Sequence, residues 1–283
     1  MEQFAHAWLI VNAASGSNNP AALQALEACF ETHGIEIGRT VRFPDEDLPR
    51  PAELDQAGVP LVMIYTGDGT LNAALARLDG WGGAVLVLPG GTMNLLSKRL
   101  HGDFPAQEIV ELVARGGGQR RRVLKIEAPC GDAYAGLLAG PGTHWGTVRE
   151  AMREGDLAGV ASGAAEALAK STGETSVRAV EPPLGNREGY PLIDLTPGEH
   201  GIQVNGYHAQ TLGELAQQGW ALLRRRFREG PHDRMGIVSE ITLENVDGTP
   251  VEVLLDGERC EGAGRMTFRV AESEVDLLAT HHA

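Results

Sequence analysis

Apolar residues fall into two different rhythms along this 283-residue chain. From the start to about residue 124, short continuous apolar runs alternate with stretches of helical period. "AWLIV" (7–11), "PLVMIY" (60–65) and "AVLVL" (84–88) are apolar throughout, the pattern of strands covered on both faces in a parallel sheet. Between the first two, "PAALQALEACFETHG" has Pro20 near its start and Gly34 near its end, which marks a helix with its start and stop signals in place. The succession predicts an open α/β domain built of βαβ units. After "ARGGGQRRRVLKIEAP" the rhythm shortens. Residues 123–145 and 236–271 hold short β-rich segments, "ITLENV", "PVEVLLDGE" and "RMTFRV", with turn signals at Asp247-Gly248 and Asp256-Gly257, and so predict a second, mostly antiparallel domain. Helical insertions are expected at 147–171 and 211–229, and the Gly/Pro-rich stretch 180–201 as turns and long loops. No repeat of solenoid length occurs.

Composition narrows the function classes. A formal charge of −14 argues against a nucleic-acid surface, which needs clustered Lys and Arg. Cys29, Cys130 and Cys260 are odd in number, far apart and without metal-ligand spacing. They are expected to be reduced structural cysteines of a cytoplasmic protein, with no disulfide. The N-terminus "MEQFAHAWLIVNAASG" lacks a basic n-region and turns polar after a few apolar residues, so it is expected to be a first strand rather than a signal peptide or membrane span.

Two loops share one design. "LVMIY" runs into "TGDGTLN", and "AVLVL" into "PGGTMN", so that each strand delivers Gly-Thr-x-Asn to the start of a helix: Gly69-Thr70-Leu71-Asn72 and Gly91-Thr92-Met93-Asn94. Strand ends of open α/β sheets and free N–H groups at helix starts suit an anion, and two such loops can clamp one polyphosphate. Each loop alone is also compatible with an ordinary glycine turn capped by Thr or Asn. No P-loop motif occurs, the dinucleotide pattern fails because Asn72 stands at its third glycine, and neither H-E-x-x-H nor G-x-S-x-G is present.

The chain resembles the diacylglycerol kinase catalytic domain family, which includes bacterial lipid kinases and the sphingosine and ceramide kinases. "IVNAASG" (10–16) is similar to its N-x-x-S-G opening, "TGDGTLN" to G-G-D-G-T-x-N, "PGGTMN" to P-x-G-T-x-N, and "LLDGE" (254–258) to its late D-G-E, all in the family's order. The resemblance implies an N-terminal α/β nucleotide-binding domain, residues 1–124, and a β-sandwich-like lipid-binding domain, residues 125–271, with the active site between them. It also implies that "VDLLA" (275–279), within 272–283, is a last strand returning to the first domain. ATP would be held by Asn12, Ser15, Gly16, Thr40, Thr66, Gly67, Gly69, Thr70, Leu71, Asn72, Gly91, Thr92 and Asn94. Asp68 would stand at the phosphates and Mg²⁺, Asp256 would offer a further metal contact, and Glu258 would accept the proton of the acceptor hydroxyl. This fits phosphoryl transfer, which needs Mg²⁺ to neutralise phosphate charge and a base near the acceptor.

The expected activity is thus ATP-dependent phosphorylation of a lipid hydroxyl, by a protein that visits the inner membrane face from the cytoplasm. Two departures matter: the acids that commonly follow the two loop asparagines are Ala73 and Leu95 here. Kinase action on a soluble acceptor, and a catalytically weakened nucleotide- or lipid-binding protein, are the alternatives. The oligomeric state stays open, with a homodimer among the options. Two basic stretches are ambiguous. "TLGELAQQGWALLRRRFREG" (211–230) suits either a membrane-surface helix or a helix packed on the sandwich. "GGGQRRR" (116–122) is either a turn into a strand or a basic rim near phosphate. His281 and His282 are expected to be solvated rather than metal ligands.

Overall fold

The protein is described by a computed structural model over residues 6–12, 20–140, 176–208 and 232–281. The expected helices at 147–171 and 211–229, together with Ser15, Gly16 and His282, lie outside the described residues. The chain divides into two compact units, Met1–Val123 with Glu272–Ala283, and Leu124–Ala271.

In the first unit the elements run β1 (His6–Val11), α1 (Pro20–Thr32), β2 (Glu36–Arg42), α2 (Pro51–Gln56), β3 (Leu61–Thr66) and α3 (Asp68–Arg77). They continue as β4 (Ala84–Pro89), α4 (Leu95–His101), α5 (Ala106–Ala114) and β5 (Gln119–Arg121). The second unit holds β6 (Leu124–Ala128), β7 (Gly131–Ala133), β8 (Leu137–Ala139), β9 (Val177–Glu181), β10 (Pro183–Leu184) and β11 (Leu192–Gly198). After these come β12 (Gly201–Tyr207), β13 (His232–Val238), β14 (Glu240–Asn245), β15 (Val253–Leu255), β16 (Glu258–Cys260) and β17 (Arg265–Glu272), and finally β18 (Asp276–Ala279), which rejoins the first unit.

The first sheet has the order β2-β1-β3-β4-β18-β5. All neighbours are parallel except β18 and β5. β3 is buried along its whole length, as its unbroken apolar run predicts. Leu9, Met63 and Leu86 from three adjacent strands pack with Leu26 and Phe30 of α1 and with Ile109 and Val110 of α5. Each such side chain contributes about 1.5–3 kcal/mol by leaving water. α1 ends as its sequence suggests. Gly34 adopts φ +68°, its N–H bonds the Glu31 carbonyl, and the Ile35 N–H bonds the Phe30 carbonyl at 2.9 Å, a Schellman closure that a β-carbon at Gly34 would strain.

The run 119–121 is a strand: Arg121 pairs with Leu277, which is level with Val85. Arg120 and Arg122 bind Asp276 at 3.4 and 3.2 Å. This places them toward the start of β4, away from the loop that follows Pro89, so the basic-rim alternative for "GGGQRRR" falls.

The second unit is a β-sandwich. Its sheets have the orders β10-β9-β14-β17-β6-β7 and β13-β12-β11-β8-β15-β16. Ile126, Val177, Ile241 and Phe268 of one face Leu137, Ile193, Val204 and Leu255 of the other in a single core. Two expectations are corrected here. Residues 192–198 are not loop but a buried strand, hairpin-paired with β12. Its inward Ile193 and Leu195 alternate with Asp194 and Thr196, whose polarity disguises the strand. Thr196 Oγ1 donates to Asp194 at 3.2 Å and Asn205 Nδ2 at 3.1 Å, which satisfies the carboxylate.

The cysteines are not all reduced. Cys130 and Cys260 form a disulfide with Cα atoms 6.0 Å apart, while Cys29 is free. The partners are separated by 130 residues, so spacing along the sequence could not reveal them, although the Cα separation is ordinary for a disulfide. The bond joins the turn beside β7, at the edge of one sheet, to β16 at the edge of the other. It also removes the cysteine-based support for a reducing compartment. Among the described residues no helix is long and apolar enough to cross a membrane.

Candidate active site

Parallel register brings the two glycine loops together. Val11 pairs with Tyr65, and Thr66 with Pro89, so the chain leaves β1, β3 and β4 at one edge of the sheet. That is the edge at which open α/β sheets place ligands. Asn12, the loop after Thr66 and the loop after Pro89 therefore start side by side.

Loop one is a strand turning directly into a helix. Gly67 is the N-cap of α3 with φ −79° and ψ 167° and no side-chain cap, so the helix's first N–H groups are not met by a cap side chain. Thr66 is buried and its Oγ1 donates to the Gly67 carbonyl at 3.1 Å. Asp68, Gly69, Thr70 and Asn72 are half-buried on the first turns of α3. Leu71, expected among the nucleotide contacts, is 3% exposed and its N–H bonds the Gly67 carbonyl at 3.0 Å. Its side chain is therefore a core anchor that fixes the loop. Asn12 Nδ2 donates to Thr70 Oγ1 at 2.8 Å and links the end of β1 to this loop.

Loop two leans on loop one through missing β-carbons. A Cβ on Gly90 would stand 2.5 Å from the Thr66 nitrogen, and one on Gly91 would stand 2.5 Å from the Gly67 Cα. These glycines let the backbones touch. Asn94 adopts φ 52° and ψ 46°, a left-handed conformation that asparagine tolerates. Its side chain closes the loop by accepting from the Gly91 N–H at 2.7 Å and donating to the Gly91 carbonyl at 2.8 Å. Thr92 lies half-buried within it.

Asp68 crosses from one loop to the other. Its Oδ1 accepts the N–H of Leu95 at 2.9 Å, so the carboxylate ties loop one to the helix that follows loop two. Lys98, which the sequence reading passes over, sends its Nζ back to the Met93 carbonyl at 2.6 Å. The signal was available: helical side chains slant toward the helix N-terminus, so a lysine one turn into α4 reaches the preceding loop.

The remaining candidates lie on other elements. Thr40 sits in β2 opposite Leu9, two residues short of the level at which Val11 meets Arg42. Asp256 and Glu258 belong to the second unit. Asp256 and Gly257 form a two-residue turn between β15 and β16 with φ 46° and 87°, the positive pair that a type I′ hairpin requires. The Asp256 carboxylate is 5% exposed. It accepts the N–H groups of Tyr134 at 2.7 Å and of Ala135 and Gly136 at 2.9 Å each. This geometry makes it the clamp of the 134–136 backbone, with both carboxylate oxygens turned to N–H donors instead of to a metal ion. Glu258 is the first residue after the turn and is half-buried. Among the described residues no cluster of three or more His, Cys, Asp or Glu could hold a metal ion by itself.

Residues 6–126 match the profile of the diacylglycerol kinase catalytic domain. Among solved structures, the chain is similar to a diacylglycerol kinase from Bacillus anthracis str. Sterne, with TM-score 0.64 and 14% identity over 98% of this chain and 97% of that one. Two further Bacillus anthracis str. Sterne structures, whose diacylglycerol kinase assignment is provisional, match with TM-scores of 0.64 and 0.63 at 14% and 13% identity. They cover 98% and 97% of this chain, and 96% and 97% of their own. At such identity the likeness speaks for the fold. No curated protein matches the chain.

Proposed function

We propose, from the match of residues 6–126 to the diacylglycerol kinase catalytic domain, that this protein is a phosphotransferase that moves the γ-phosphoryl group of ATP onto the hydroxyl of a lipid, diacylglycerol-like or sphingoid. The observation that carries the reading is the pair of Gly-Thr-x-Asn loops packed backbone to backbone through Gly90 and Gly91 and bridged by Asp68. Binding a triphosphate there requires N–H donors held in fixed positions before the ligand arrives. The cross-links between Asn12 and Thr70, Asn94 and Gly91, and Asp68 and Leu95 supply that rigidity.

In the transfer the acceptor oxygen bonds to the γ-phosphorus while the bond to the β,γ-bridging oxygen breaks. ADP leaves, and the hydroxyl proton passes to a base, for which Glu258 is the proposed group. Mg²⁺, when bound, neutralises the triphosphate. Asp68 is the carboxylate of the loops that would hold it beside the nucleotide phosphates. Work on a lipid acceptor implies contact with a membrane surface.

The test is labelled ATP with the purified chain and a panel of diacylglycerol, sphingoid base, ceramide, NAD and sugar phosphates. Transfer to a lipid supports the proposal, and transfer to a soluble compound alone redirects it. A second reading has its own support: Asp68 is already engaged by the Leu95 N–H, and Ala73 and Leu95 stand where the family resemblance implies acids. It describes a nucleotide-binding protein with weakened catalysis. It predicts ATP binding that survives Asp68→Asn, and no turnover in the parent protein.

A further inference from the structure

Two charged side chains of opposite sign converge on residues 93–95, and only one of them belongs to the motifs of the sequence. Asp68 Oδ1 holds the Leu95 N–H and Lys98 Nζ holds the Met93 carbonyl. Met93 lies between Thr92 and Asn94, in the middle of loop two. A lysine in the last turn of a helix usually finds its gain at that helix's own C-terminal carbonyls. Lys98 instead folds back, half-buried, onto the loop. Building on the proposed nucleotide site, we propose that Lys98 is a polyphosphate-binding residue, whose ammonium sits beside loop two to receive the phosphate oxygens.

The charge arithmetic favours this role. The chain is strongly acidic, with a formal charge of −14, and the loops that would cradle a triphosphate contain a carboxylate of their own in Asp68. Backbone N–H groups supply only partial charge, and a full positive charge nearby makes the site more attractive to an anion. Lysine suits the task as a compact point charge on a flexible stem. Its bond to the Met93 carbonyl parks the ammonium at the loop, and ammonium has three donors, so the same group can keep the carbonyl and take a phosphate oxygen.

The experiment is calorimetric titration of the full chain and of Lys98→Ala, Lys98→Met and Lys98→Arg with adenosine, ADP, ATP and inorganic tripolyphosphate, beside thermal unfolding of each variant. The expected result is a loss that grows with phosphate number. In Lys98→Ala and Lys98→Met, ATP and tripolyphosphate weaken about tenfold or more, ADP weakens less and adenosine is unchanged, while Lys98→Arg stays close to the parent. Equal weakening of all ligands, together with a lowered unfolding temperature, would assign Lys98 to holding the loop and overturn the proposal. Unchanged ATP affinity in Lys98→Met would overturn it and leave the nucleotide reading intact. If the parent binds neither ATP nor adenosine nor tripolyphosphate, both readings fall together.

Discussion

The chain uses the dipeptide Asp-Gly at two candidate positions, and the two copies fold into different things. Asp68-Gly69 opens α3. Asp256-Gly257 is a hairpin turn with both residues at positive φ. The dipeptide does not decide; its flanks do. "TLNAALAR" follows the first and carries the helix onward, whereas "VLL" and "ERC" flank the second as paired strands. In both copies the carboxylate accepts backbone N–H groups across a gap in sequence, from Leu95 for Asp68 and from Tyr134, Ala135 and Gly136 for Asp256. Burial separates their uses. Asp68 is half-buried at the edge of the parallel sheet, while Asp256 is enclosed. Both units thus have apolar cores; the first adds glycine contacts and polar links around its loops, and the second adds a disulfide and an enclosed carboxylate clamp between distant segments.

Removing the clamps should therefore damage the second unit most. Cys130→Ser with Cys260→Ser releases a cross-link between residues 130 apart, and loop-closure entropy alone puts the loss at about 5 kcal/mol. Chemical denaturation of parent and double variant, with and without reductant, measures it. Two transitions are expected, with the one belonging to the sandwich moving and the other staying. If both move equally, the division of labour between the units is wrong.

Asp256→Ala leaves three backbone N–H groups without their acceptor and should cost about 3 kcal/mol. Asp256→Asn keeps one acceptor oxygen and should lose less. By contrast, Asp68→Asn should leave global stability within about 1 kcal/mol and register in nucleotide titrations instead. An Asp256→Asn protein as stable as the parent but devoid of phosphoryl transfer would break the comparison and return Asp256 to the chemistry.

One polar contact of the first unit titrates. His101 is fully buried at the end of α4, with Nδ1 2.9 Å from Thr280 Oγ1 behind β18. Burial lowers its pKa from 6.5 to about 4, against a smaller opposing pull from the Val87 backbone. The unfolded chain therefore takes up the proton first. The stabilisation is complete above pH 6.5 and drains away as pH falls toward 4, by about 3 kcal/mol in all. Unfolding measured from pH 7.5 to 4 should show this slope in the parent and a flatter one in His101→Leu.

How much of this was legible follows the same division. β1, β3 and β4 declared themselves because strands buried on both faces carry unbroken apolar runs. α1 did so because Pro20 and Gly34 mark its ends, and the Asp-Gly hairpin at 256–257 because its turn chemistry is local. The disulfide, the Asp256 clamp on residues 134–136 and the buried strand 192–198 were not legible. Each depends on partners brought together only by the finished sandwich, and polar residues satisfied by distant groups look like loop until those groups are seen. In the candidate site, the loops and their asparagines could be picked out, and Leu71 could not be told apart as a packing residue. Lys98 was missed because it lies outside the loop motifs and reaches loop two only through the direction the helix gives its side chain.

The smallest expected effect tests the glycine contact that joins the loops. Gly91→Ala places a methyl group 2.5 Å from the Gly67 Cα, a backbone atom that cannot rotate away, so one loop must shift. Overpacking of this kind costs about 1–2 kcal/mol in stability, but its larger signature should be functional, because the N–H groups of both loops move relative to each other. ATP affinity should then fall further than stability does, and adenosine affinity should fall less than ATP affinity. Gly34→Ala is the matched control, since its strain lies at φ +68° at the end of α1: it should lower stability by a comparable amount and leave ATP affinity alone. If the two alanines behave alike toward ATP, the contact between Gly91 and Gly67 merely packs the sheet edge, and the loops do not act as one phosphate cradle.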